Sequence, residues 1–287
     1  MQIAITGATG FVGSHLCRAL KDEDHQLVKL DRTDLRADPA RLAEQLHGCD
    51  AVINLAGENI SRRWTEKYIQ ALYDSRVLTT RALVDAMTRM EQRPTLFIST
   101  SALGAFDSAG RYSESDPPNA GGFFGRLTRD WEQAAQQAET LGVRTLIFRL
   151  SLVLGRDGGM MKQLLLPFRL GLGGPIGDGS QPFSWIHIND LIRAYGFALS
   201  HPEMTGIYHL SAPDSTTNLR FARALGQQLH RPALFPVPLF VLKLRFGKGA
   251  EAIASGQHLV SERLPEAGFH FQYETLPKAL EEIIRGP

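Results

Sequence analysis

Apolar residues along this chain follow two rhythms. Ile3–Ile5 and Ala51–Leu55 are runs with little or no polar interruption, and Thr95–Ile98 and Arg144–Phe148 continue the series. Such runs suit strands buried on both faces of a parallel sheet. The stretches between them change to helical spacing: Ser14–Leu20, Pro39–Leu46, Arg62–Met90 and Phe123–Leu141. The third of these reads as two segments, with Leu72, Val77, Leu78, Leu83 and Val84 at apolar positions. His25–Leu30 adds a second strand, and the short Thr33–Gly48 connection leaves no room for a full helix and a further strand. Alternating strands and helices predict an α/β, Rossmann-like doubly wound parallel sheet.

Beyond Gly155 the texture changes. Met160–Leu172 reads as an apolar helix containing Pro167, and the glycine cluster Gly171–Gly179 lacks a strand–turn–helix setting, so it reads as a loop or lid hinge. Trp185–Ile188 alternates like a strand before a helical run, Leu191–Leu199, which Asn189 or Asp190 is positioned to cap. Pro236–Pro238 and a final helix, Leu276–Ile284, mark a mixed satellite. The expected division is a dinucleotide-binding domain over 1–155, with 185–210 returning to it. Residues 156–184 and 211–287 then form a C-terminal substrate or lid subdomain. There is no internal repeat.

Composition changes this picture little. Of 287 residues, 43% are hydrophobic and 21% charged, which argues against disorder. The net charge of +1 gives no support to broad nucleic-acid or membrane attraction. Cys17 and Cys49 are too few for a disulfide framework or a zinc site and read as small core residues; no metal site is expected. The first strand starts at Met1, which leaves no room for a signal peptide, and no apolar run approaches a membrane span. The expectation is a soluble cytoplasmic protein.

The candidate chemistry begins where the first strand runs into Gly7-x-x-Gly10-x-x-Gly13 and then a helix. In that setting Gly7 permits the tight turn, Gly10 lets backbone approach a pyrophosphate, and Gly13 allows close helix–strand packing. The helix N-terminus is left to hold negative charge. At the end of the second strand, Asp31 can accept the adenosine ribose hydroxyls while Arg32 can pair a 2′-phosphate, so adjacent residues contest the choice between NAD and NADP. Ala56-Gly57 closes the third strand with small residues that allow a cofactor to lie against it. Arg76 lies within reach of the same edge or on the surface. Ser99-Thr100-Ser101 follows the next strand, facing the crevice where ligands bind in this architecture. Tyr112–Gly122 is a polar loop.

Together these residues resemble the extended short-chain dehydrogenase/reductase (SDR) superfamily, the fold of nucleotide-sugar epimerases and dehydratases. More narrowly they resemble its atypical "epimerase family protein" subgroup, which ends in a small C-terminal domain of unknown function. The likeness runs through Thr6–Gly13, Asn54–Ile60, Trp131-Glu132, Leu166–Gly177, Trp185–Ile188, Gly256-Gln257 and Ala267–Phe269. It implies cofactor contacts at Gly7, Thr9, Gly10, Phe11, Val12, Gly13, Asp31, Arg32, Leu55, Ala56, Arg76 and Val153. NADP is slightly favoured over NAD, because an arginine matches Arg32 in subgroup relatives, although Asp31 stands where they often carry a small hydroxyl residue.

The same resemblance removes the standard mechanism. Ordinary members use a Tyr-x-x-x-Lys pair whose tyrosine acts as acid/base. Counting back from Glu132, those slots hold Phe124 and Thr128, and a Tyr-Tyr pair found in some relatives is replaced by Ala105-Phe106. Substitute proton donors are His187, Glu58, Glu114 and Tyr112, with Ser101 polarising a carbonyl; the stretch around His187 favours a structural histidine over a catalytic one. Two functions follow: an NAD(P)-dependent oxidoreductase of unidentified small-molecule substrate with a rebuilt acid/base, or a non-catalytic NAD(P)H-binding sensor or regulator. By analogy of fold, a homodimer through Arg62–Met90 and Phe123–Leu141 is expected, and no nucleic-acid or membrane partner.

Overall fold

The structure, a computed structural model, describes residues 1–286, without the side chains of 252 and 253. The first half comprises β1 (Gln2–Thr6), α1 (Phe11–Asp22), β2 (Gln26–Leu30), α2 (Pro39–Leu46), β3 (Ala51–Asn54), α3 (Glu66–Asp74) and α4 (Val77–Thr88). It continues through β4 (Leu96–Ala102), β5 (Arg111–Tyr112), α5 (Gly122–Gln136) and β6 (Arg144–Leu150). The second half holds β7 (Leu152–Leu154), α6 (Met161–Arg169), β8 (Pro182–Phe183), β9 (Trp185–His187), α7 (Ile188–Ser200) and β10 (Gly206–Leu210). The chain ends with β11 (Thr216–Thr217), α8 (Asn218–Gln228), α9 (Leu239–Phe246), α10 (Ala250–Ala254), β12 (His258–Leu259), α11 (Arg263–Glu266) and α12 (Leu276–Arg285).

Six strands form one parallel sheet in the order β10-β6-β4-β3-β1-β2. The unbroken apolar runs are explained by its two covered faces. Ile3, Ile5, Ile53, Ile98 and Phe148 point into one core with Leu16 of α1 and Leu191 and Tyr195 of α7. The alternate residues Ala4, Val52, Phe97 and Ile147 point into the other, against Leu42 of α2 and Leu83 and Met87 of α4. Each such Val, Leu, Ile, Phe or Met side chain, fully removed from water, contributes about 1.5–3 kcal/mol before chain entropy is counted. The strand order reverses between β1 and β3, so the crevice at their carboxyl ends is the place this architecture offers a ligand.

A separate core holds the C-terminal elements together. Leu276, Ala279, Leu280 and Ile283 of α12, at helical spacing, pack with Phe221 and Leu225 of α8, Met161 and Leu165 of α6, and Trp185. Pro167 lies inside α6.

Two local expectations change. β4 runs on to Ala102, so the serines lie within the strand and not after it. Their carbonyl and amide groups still pair with β6 as far as Leu150, which keeps the backbone extended. The cap of α7 is His187, whose Nδ1 accepts the Asn189 N–H at 3.2 Å, and not Asn189 or Asp190. Asp190 is instead buried and accepts the N–H groups of Gln272 and Tyr273, each at 2.8 Å.

Candidate cofactor site and catalytic slots

The glycine turn connects β1 to α1 with little room to spare. Gly7 has φ +67°, and a Cβ there would stand 2.6 Å from the Leu55 carbonyl oxygen. A Cβ at Gly13 would stand 2.2 Å from the Gly7 oxygen, which is how closely helix and strand approach. Gly10 differs. Its φ of −72° suits any residue, and a Cβ would meet only the Gly7 oxygen, at 3.2 Å. It is the N-cap of α1, with no side-chain cap and no acidic residue in the first turn. The Gly10 N–H is taken by the Gly7 carbonyl at 2.9 Å, so the first-turn N–H groups of Phe11, Val12 and Gly13 and the positive end of the helix dipole are left beside exposed Thr9. This turn fits a dinucleotide pyrophosphate.

Phe11 is seated against the loop after β7. Added Cβ atoms at Gly155 and Gly158 would lie 2.7 and 2.1 Å from its ring. The ring also meets His15 edge-on at 5.4 Å, and His15 pairs with Asp157 of that loop at 3.0 Å. Val153 comes alongside because β7 pairs with β9. Val12 is half-buried at the same corner.

A buried hydroxyl network fixes the crevice between β1 and β3. Thr6 Oγ1 donates to Asn54 Oδ1 at 2.7 Å and accepts the N–H groups of Leu55 and Ala56 at 3.0 Å. Asn54 Nδ2 donates to Thr80 Oγ1 at 2.8 Å, which in turn donates to the Arg76 carbonyl. Arg76 itself braces this edge: its guanidinium donates to the carbonyls of Leu72 and Glu58 at 3.1 Å and lies against Gly57. Burial lowers its pKa to about 10.

Asp31 and Arg32 part company. Asp31 Oδ1 accepts the N–H groups of Thr33 and Asp34 at 2.6 and 3.0 Å, closing a turn. Arg32 is 76% exposed and pairs with Glu58 at 2.8 Å across the mouth of the crevice.

On the β4–β6–β10 side the polar side chains are already engaged. Phe124 packs in an aromatic cluster, tilted against Trp64 and edge-on to Phe123, ring centres 5.2 and 5.6 Å away. Thr128 is buried and donates to the Phe124 carbonyl at 2.8 Å. Neither slot presents a proton donor. Ser101, 2% exposed, donates to Glu132 Oε1 at 2.6 Å, and Glu132 receives Arg149 through two bonds of 2.8 Å. His209 stands beside Arg149 at 3.4 Å, and burial together with that cation pushes its pKa down to about 4. Sequence reasoning used Glu132 only as a counting mark and missed Arg149 and His209; a lone arginine in an apolar strand run was the available signal.

The remaining candidates are also tied. Tyr112 donates to Asp107, which raises the phenol pKa, and stacks on Phe106 at 4.6 Å. Glu114 accepts the N–H groups of His209 and Glu262. His187 is wholly buried, bonded through Nε2 to Glu282 at 2.8 Å and stacked on Tyr273; desolvation lowers its pKa. The structure thus brings the cofactor candidates to one corner and leaves Ser101, Tyr112 and His187 in three separate settings. Among the described residues no cluster suited to a metal ion is present, and no helix is long and apolar enough to cross a membrane.

A glycine cradle at a parallel-sheet switch point defines a Rossmann-like nucleotide-binding protein. Residues 3–210 match the NAD dependent epimerase/dehydratase family and residues 237–283 a domain of unknown function, DUF1731, so the chain belongs to that epimerase/dehydratase family. It is 36% identical to the human epimerase family protein SDR39U1 over 99% of this chain and 100% of the relative. To the epimerase family protein SH2119 of Staphylococcus haemolyticus it is 33% identical, with 99% of each covered. The crystal structure of human SDR39U1, isoform 2, with NADPH superposes with a TM-score of 0.91 at 34% identity, covering both chains completely. A UDP-glucuronic acid 4-epimerase from Bacillus cereus, at 20% identity and TM-score 0.77 over 99% of this chain and 98% of that one, shares the fold.

Proposed function

We propose that this chain binds NADP(H) at the Gly7–Gly13 cradle and is a cytoplasmic oxidoreductase of a small-molecule substrate, with an acid/base other than Tyr-x-x-x-Lys. The observation that carries the reading is the cradle itself, in which Gly7 and Gly13 admit no Cβ while Gly10 faces outward at an uncapped helix N-terminus. The NADPH in the human relative's structure supports the cofactor. The backbone of Gly10–Gly13 would hold the pyrophosphate, and Leu55 and Ala56, pinned by Thr6, would border the adenosine. Asp31 Oδ1 is engaged in its own turn, and Arg32 is the exposed cation free to exchange Glu58 for a 2′-phosphate. The bound cofactor supplies hydride. This chain supplies binding and orientation.

A second reading, a non-catalytic NADP(H)-binding protein, is favoured by one observation: Ser101, Tyr112, His187, Glu58 and Glu114 each already have a partner. Titration of NADPH and NADH by nicotinamide fluorescence tests the shared part. Arg32→Ala is expected to weaken NADPH about tenfold and NADH little; equal weakening of both sinks the assignment. Loss of nicotinamide absorbance with a panel of carbonyl and sugar-nucleotide substrates then separates enzyme from sensor.

A further inference from the structure

The near-zero net charge conceals an uneven distribution. Residues 158–177 and 215–250 together carry eight Lys and Arg and no carboxylate, while the remaining residues hold 23 Lys and Arg against 30 Asp and Glu. The two basic segments lie side by side in the fold. Val237 N–H donates to the Pro175 carbonyl at 2.7 Å, Gly177 N–H to the Val237 carbonyl at 3.0 Å, and Arg231 Nε to the Arg169 carbonyl at 2.9 Å.

The same segments turn large apolar side chains to water. Leu166 and Leu170 are each 64% exposed, Leu234 73%, Phe235 58%, Phe240 70% and Leu244 72%. Only Leu242 of the eight residues of α9 is buried. Monomeric proteins seldom leave so many large apolar groups together without a use for them. Exposed Arg169, Arg231, Lys243, Arg245 and Lys248 are distributed along the same stretch. Two carboxylates reach it, Glu251, the residue that follows the second segment, to Lys243 at 3.5 Å and Glu66 to Lys248, and both pairs are exposed, where such pairing is weak.

The combination selects among occupants. A second copy meeting this face about a two-fold axis would set the same acid-free segments against each other, because such a contact joins identical patches. An anionic lipid surface satisfies both features at once: Leu and Phe side chains enter the headgroup boundary, and the cations meet lipid phosphates. We propose that the face made by α6, the 170–177 loop, residues 231–238 and α9 docks on an anionic membrane surface. Trp64 N–H bonds to the Phe246 carbonyl, and a cavity of about 650 Å³ opens between Arg63–Thr65 and the Lys243–Glu251 stretch. Docking would therefore set that opening close to the bilayer.

Flotation of the full chain with phosphatidylcholine vesicles, with and without phosphatidylglycerol, tests this. Co-flotation is expected with phosphatidylglycerol only, and is expected to fall as salt rises. Lys243→Glu and Arg245→Glu should each reduce the apparent affinity about fivefold or more. The pair Phe240→Ser and Leu244→Ser should release the chain even at low salt, with melting temperature and NADPH affinity retained as proof of folding. No flotation with phosphatidylglycerol, flotation indifferent to these substitutions, or equal binding to neutral vesicles would overturn the proposal. So would a dimer in sedimentation velocity that Phe240→Ser dissolves while flotation is absent.

Discussion

The carboxyl edge of the sheet has two halves that handle polarity in opposite ways. Around β1, β2 and β3 the polar groups that matter are backbone N–H groups and small residues. Their side-chain network of Thr6, Asn54 and Thr80 works inward and leaves the outer face of the turn clear. Around β4, β6 and β10 the polar groups are side chains, and they are spent on each other: Ser101 on Glu132, Glu132 on Arg149, Arg149 beside His209. The first half is built to receive something and the second to stay closed. At the centre of that second half is a buried ion pair, Arg149 with Glu132 at 2.8 Å.

The comparison breaks most sharply at Glu132. Glu132→Gln leaves Arg149, 1% exposed, without its counter-charge, and is expected to cost about 3–5 kcal/mol in urea unfolding while NADPH affinity stays within about twofold. A cost below about 1 kcal/mol would mean that the pair is not the keystone described. Acid acts on the same half. His209 has a pKa of about 4 in the fold against 6.5 as a free side chain, so the unfolded chain takes up the proton first. Its contribution is complete above 6.5 and is lost as pH falls toward 4, of order 3 kcal/mol in all. His187, also lowered, adds in the same sense. The urea midpoint measured against pH should flatten in His209→Asn; an unchanged slope assigns the acid loss elsewhere.

Gly10→Asp tests the open half. The backbone there is already extended and uncrowded, so an aspartate caps α1 and should raise stability by a few tenths of a kcal/mol. Its charge faces the proposed pyrophosphate and should weaken NADPH about a hundredfold. If both quantities fell together, Gly10 would be structural. The smallest effect is expected from Phe124→Tyr, with stability changed by less than about 1 kcal/mol and cofactor affinity preserved. Any turnover is the quantity it should move, and loss of stability and binding in step would indicate packing alone.

Much of the cofactor corner was legible before folding was considered, because its signals are local. The turn needs glycines within seven consecutive residues, a double-faced strand needs an unbroken apolar run, and α2 begins at Pro39 and ends at Leu46 as its spacing required. The closed half was less legible because its partners are far apart in the chain. Nothing in the serine stretch announces that Ser101 meets Glu132, 31 residues on, or that His187 meets Glu282, 95 residues on. The cap of α7 was misplaced for the same kind of reason, since the buried Asp190 was required by Gln272 and Tyr273.

By itself, then, the sequence determined the α/β class, the glycine cradle and the absence of tyrosine and lysine from their slots, all matters of residue type at fixed local spacing. The tertiary structure decided that Asp31 closes its own turn while Arg32 reaches Glu58, and that every candidate proton donor already has a partner. A side chain's chemistry depends on which donors and charges lie within a few ångströms of it, and that neighbourhood is fixed only when distant strands and helices pack.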